Sequence, residues 1–176
     1  MRLSSGRRAL IVAGGMVALL LLQSTLLNRL TFWGVRPDLV LMVVGSVALV
    51  RGWGEGMLWG AAGGLLEDVF SSSLPGGHAL AKCVTGFVLG LAEGQVFKEN
   101  PLLPTLALFL GTMLEEVLFF LAAGAFGQIS WAFLDAFSGV MIPTALVNAC
   151  FAPFIYHYVA ELYKQHGFGQ RERSRL

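Results

Sequence analysis

From Ala9 to Asn28 the chain runs through twenty residues without a charge, and apolar runs of similar kind recur almost to its end. At about 1.5 Å of rise per helical residue, such a run matches the roughly 30 Å of hydrocarbon in a bilayer. Inside lipid every backbone N–H and C=O must be satisfied within its own segment, so uninterrupted apolar runs of this length select helices. Composition agrees, with 56% hydrophobic and only 13% charged residues and a mean hydropathy of +0.70. Soluble domains carry about a quarter of their residues charged. A net charge of +1 sets up no basic field for nucleic acid.

Arg2, Arg7 and Arg8 precede the first run as they would in a secretory leader. The run exceeds a leader's apolar core and no small-x-small cleavage site follows, so it reads as a retained first helix. The second span is predicted from Asp38 to Val50, after Trp33 at the interface and Pro37 as a helix start. The third follows the glycine-rich turn Arg51–Gly56 and reaches Phe70. Ser71–Gly77 is a breaker cluster, with the fourth span at His78–Val96, the fifth at Leu102–Ala123 and the sixth at Ala136–Ala160, the last interrupted by Pro143 and Pro153. The expected fold is therefore an all-α bundle of six transmembrane helices, residues 1–163 as one domain and 164–176 as a basic tail against anionic lipid.

Lysine and arginine accumulate on cytoplasmic flanks. Six spans with the N-terminus inside place Arg2, Arg7, Arg8, Arg51, Lys98, Lys164, Arg171, Arg173 and Arg175 in the cytoplasm and Arg29, Arg36 and Lys82 outside, nine against three. Both termini are expected in the cytoplasm of a bacterial inner-membrane protein.

Helices in lipid associate by close backbone approach rather than by apolar burial. Gly52, Gly56, Gly60 and Gly64 recur every fourth residue on the third span, and Gly86, Gly90 and Gly94 on the fourth, with Gly14 and Ala18 a shorter pair on the first. Residues four apart share a face, so each helix carries a small-residue groove that suits either internal packing or a partner's helix. Ionisable groups in spans are functional candidates because they are costly there. Asp38, Glu67, Asp68, His78 and Lys82 are expected as a polar cluster near the outer leaflet. It is read either as neutralised helix-end charges, with Glu67 or Asp68 pairing Lys82, or as a contact for a ligand or partner. Glu115 and Glu116 lie deeper, apart from that cluster. An interhelical hydrogen bond, with Asn148 as a partner, is preferred there over a proton relay, since no second acid or histidine is expected at that depth.

Catalytic and metal motifs are missing in turn. There is no His-Glu-x-x-His and no phosphate loop, Glu115-Glu116 lacks the downstream arginine of intramembrane prenyl-protein proteases, and Ser71–Ser73 with Asp68 and His78 lack a nucleophile elbow. His78, His157 and His166 are scattered, and Cys83 and Cys150 sit in apolar runs as packing residues. No enzyme activity, metal or cofactor is expected.

Arg36-Pro37-Asp38-Leu39, followed by the run from Gly60 to Asp68 and then by Leu74-Pro75-Gly76-Gly77-His78-Ala79-Leu80, resembles the rod shape-determining MreD family. The resemblance spans residues 36–98 and rests on Pro37, Asp38, Asp68, Gly76, His78 and Leu80, with departures at Glu67 and Pro75. It implies a non-catalytic scaffold of the cell-elongation machinery that binds the single-span protein MreC. Through MreC it implies links to MreB filaments, a RodA-type glycosyltransferase and a class B penicillin-binding transpeptidase. On this reading a glycine groove of the third and fourth spans receives the partner helix. The alternative is the substrate-binding subunit of an energy-coupling-factor vitamin transporter, with Asp38, Asp68, His78 and Lys82 lining a ligand site.

Overall fold

The computed structural model describes residues 14–15, 17–18, 37–70, 74–94, 102–127 and 133–164. They form α1 (Leu39–Arg51), α2 (Trp53–Phe70), α3 (Gly77–Gly90), α4 (Leu102–Ala125), α5 (Phe133–Ala136), a π turn (Phe137–Met141) and α6 (Ile142–Lys164). No strand occurs among the described residues. Of the predicted first span only Gly14, Gly15, Val17 and Ala18 are described, and they are helical. The rest of that span lies outside the described residues, as do the turn with Arg29, Trp33 and Arg36, the segments around Ser71–Ser73, Lys98 and Trp131, and the tail beyond Lys164.

α1 is the central helix, with α2, α3, α4 and α6 packed around it. Its sequence explains this. Val40, Leu41, Met42, Val44, Val47, Ala48 and Leu49 clothe it on all sides and are buried, as a helix without a polar face must be. Ala48 and Leu49 meet Leu89, Leu108 and Ala152 at one end of the core, while Val40 and Val44 meet Trp59 and Leu66.

α2 and α3 form an antiparallel pair in backbone contact. A Cβ built on Gly56 would fall on the Gly86 carbonyl, one on Gly60 on the Lys82 carbonyl, and one on Gly64 on the His78 carbonyl. Gly86 and Gly90 reciprocate against Gly56 and Trp53. Each step of four along α2 is matched by a step of four back along α3, so the two grooves predicted from the sequence fill one another. This corrects the assignment of Gly56, Gly60, Gly64, Gly86 and Gly90 to a partner's helix: α3 already occupies that space. Gly52 touches the end of this face only through its backbone, against Gly90, and Gly94 has nothing near it. Gly52 terminates α1 at φ +88° beneath the Glu93 carboxylate, and Gly94 sits at φ +78° in a turn with open space around it. α3 accordingly stops at Gly90 and not at Val96.

α4 and the continuous helix Phe133–Tyr163 are long and apolar enough to cross a membrane. Proline shapes the latter. Pro143 has no N–H for the Gly139 carbonyl, and the helix widens into the π turn just before it. The Thr144 hydroxyl donates to the Val140 carbonyl at 2.7 Å in the same stretch. α1 and α3, at 13 and 14 residues, reach only about 20 Å each. Their N-termini therefore lie beside the middle of α4, which sets the depth of the polar site.

A buried charge network joining five helices

Lys82 lies on the face of α3 turned into the bundle and is wholly buried. A buried ammonium is tolerable only when it is paired with opposite charge and hydrogen-bonded, and three helices supply carboxylates. Asp38 Oδ2 from the start of α1 accepts a hydrogen bond from Nζ. Glu115 Oε1 from α4 accepts another at 2.9 Å. Glu67 Oε2 from α2 lies 2.9 Å from Nζ but off the hydrogen-bonding direction, so it is held by charge alone.

Local chain chemistry positions each acid. Asp38 follows Pro37 and caps α1, its Oδ1 accepting from the Leu41 amide at 2.8 Å. Its own amide donates to Asn148 Oδ1 of α6 at 2.9 Å. Asn148, also fully buried, donates through Nδ2 to the Thr112 hydroxyl at 3.2 Å, and Thr112 donates to the Leu108 carbonyl. Asp68 takes no part in holding Lys82. Its two oxygens accept the His78 and Ala79 amides at 3.1 and 3.0 Å, capping α3 where Gly76, at φ +84°, has turned the chain. That places His78 over Glu115, Nδ1 to Oε1 at 3.5 Å, with its ring stacked on Phe119 at 4.1 Å between centroids.

The structure thus merges what the sequence separated. The outer cluster and Glu115 of the deep pair are one site: Glu115 has a histidine, a lysine and two further acids at its own depth. Its partner is Lys82, not Asn148, which instead ties Asp38 to α4. Pro37, Gly76 and Gly77 shape the chain around the site, while Glu116 lies beside it, half-buried and outside these bonds. Thr112 and Phe119 escaped sequence reading. Thr112 lies three residues before Glu115, and Phe119 four after it, on the same helix face, which is the only signal the sequence offered. Far from the network, Arg51 pairs with Glu55 at 2.7 Å and covers the Tyr163 ring.

Chemically, the network is a crosslink. Asp38, Glu67, Lys82, Glu115 and Asn148 hold α1, α2, α3, α4 and α6 in one register by charge and hydrogen bond. No group of three or more metal-ligating side chains in binding geometry occurs among the described residues.

The family model described as rod shape-determining protein MreD matches residues 8–166. This chain belongs to the MreD family. No curated protein and no solved structure matches it. Membership assigns the chain a role in rod shape determination, and MreD proteins are membrane-associated shape-determining structural proteins, not known as enzymes. The two long apolar helices are compatible with that setting. Pro37, Asp38, Asp68, Gly76 and His78, on which the resemblance rested, all lie within or against the network, and Leu80 faces outward from α3.

Proposed function

We propose that this MreD-family chain is a non-catalytic scaffold of lateral peptidoglycan synthesis. It crosses the cytoplasmic membrane six times with both termini inside and binds the transmembrane segment of MreC. Through MreC it connects with MreB, a RodA-type glycosyltransferase and a class B penicillin-binding transpeptidase. The family match over residues 8–166 carries this reading. The chemistry of the spans supports it. Asp38, Glu67, Asp68, Lys82 and Glu115 are spent on one another and on helix ends, an arrangement that rigidifies a bundle. The transporter reading would ask Asp38, Asp68, His78 and Lys82 to line a ligand site, and their mutual engagement favours the scaffold.

Depletion of the chain in a rod-shaped host is expected to round the cells, and affinity purification from native membranes to recover MreC. Cells that keep their shape, or a preparation that carries a vitamin in place of MreC, would overturn the scaffold.

A further inference from the structure

His78 opens α3 and is held there from two sides. Its amide and that of Ala79 are bound by Asp68 of α2 at 3.1 and 3.0 Å. Its ring lies flat on Phe119 of α4, 4.1 Å between centroids and 14° between planes. The stack leaves Nδ1 3.5 Å from Glu115 Oε1. A charge-assisted N–H···O bond is shorter, roughly 2.7–2.9 Å. Imidazole and carboxylate therefore face one another at the limit of reach, with contact still to be gained.

Glu115 Oε1 is also the oxygen that accepts from Lys82 Nζ at 2.9 Å. Lys82 divides its charge among Glu115, Asp38 of α1 and Glu67 of α2, so Glu115 keeps negative charge for a second cation. Asp68 on the α2 side and Glu116 on the α4 side add further carboxylates. Against a charge on His78 stand the Lys82 ammonium on its own helix and the amide end of α3. Among the described residues, carboxylates from α1, α2 and α4 outnumber them.

An imidazole changes its charge between about pH 5 and 8, and this ring is not sealed. The His78 side chain is 19% exposed, against 5% for Glu115 and 0% for Lys82. A proton thus has access to the network at His78, on a ring already seated against α4.

We propose that His78 is a proton-operated clasp between α3 and α4. When Nε2 takes the proton, both ring nitrogens carry hydrogen, and Nδ1–H closes on Glu115 Oε1 as a charge-assisted bond. Loss of that proton returns the pair to a long contact that the Phe119 stack keeps aligned. The clasp ties α3 more tightly to α4 in acid than in alkali. It goes beyond the scaffold reading and requires no partner; on the topology proposed above, the proton is drawn from the outer side.

The test follows thermal unfolding of the full chain, purified in detergent, at about pH 5.5 and about pH 8. The forms compared are wild type, His78→Gln, Glu115→Gln and the double variant. The advantage of wild type over His78→Gln in melting temperature is expected to be greater at the acid pH by roughly 2–4 °C. The corresponding difference between Glu115→Gln and the double variant is expected to be the same at both pH values, because the acceptor is then uncharged. An imidazole that serves only by stacking on Phe119 costs the same at both pH values when removed, and that result overturns the clasp. A pH-dependent advantage that survives Glu115→Gln overturns it as well. NMR of the ring in a chain carrying His157→Gln and His166→Gln reads the same event with every residue of the site in place. The His78 ring signals are expected to shift between about pH 5 and 8, and signals constant across that range overturn the clasp even where a variant fails to fold.

Discussion

Lys82 and Glu115 stand 33 residues apart in sequence and meet with Nζ 2.9 Å from Oε1, both closed off from solvent. Asp38 and Glu67 approach the same ammonium from two other helices. One cation is thus the common point of α1, α2, α3 and α4, and its removal tests the fold more sharply than any apolar substitution.

Lys82→Met keeps much of the volume and strands the acids around it. Breaking a buried pair from one side costs about 3–5 kcal/mol, so the variant is expected to lose most of its folded population in detergent, read as a fall in melting temperature. Adding Glu115→Gln to it should recover part of that loss, because the partner is then no longer left charged. A double-mutant cycle on these two positions measures the coupling. Additive effects would mean the pair contributes nothing jointly.

The glycine seam yields a contrast within one helix. Gly60→Ala sets a methyl group against the Lys82 backbone, and overpacking of this kind costs about 1–3 kcal/mol. Gly54→Ala meets nothing within 4 Å and should leave the melting temperature unchanged or slightly raised, since alanine restricts the unfolded chain more than glycine. Equal effects at both sites would contradict the close approach of α2 and α3.

Asn148 serves two helices at once. Asn148→Leu removes the acceptor of the Asp38 amide and the donor to Thr112. A buried donor left unmet costs about 1–3 kcal/mol. Faster hydrogen exchange at the Asp38 amide and a lower melting temperature are expected. An unchanged exchange rate would show that α1 does not depend on α6 for its start.

Asp68 caps α3 and does not touch Lys82. Asp68→Asn, which can still accept one of the two amides, should cost less than Asp68→Ala, for which about 0.5–2 kcal/mol is expected. Thermal unfolding of the two variants separates a capping role from an ion pair, since an ion pair would be lost equally in both.

The linear pattern of this chain was enough for its helical class, for the positions of four helices to within a few residues and the start of a fifth, and for its family. Those properties follow from local facts: apolar run length, proline and glycine breaks, and the order Pro37-Asp38, Asp68, Gly76, His78, Leu80. The glycine repeats announced close helix contact as well, because period four marks a face without any partner being named. Which face meets which was not in the pattern. Gly60 meets Lys82 rather than a foreign helix because α2 and α3 turn back on one another through Gly76, and a sequence spacing holds no information on which backbone will fill a groove. Nor could spacing place Glu115 with Lys82 and Asp38. Depth in a bundle depends on where short helices begin, and α1 and α3 start beside the middle of α4 only once they pack. The tertiary structure made that choice, since a charge buried in a low-dielectric interior is stable only where folding delivers its counter-charges to one point.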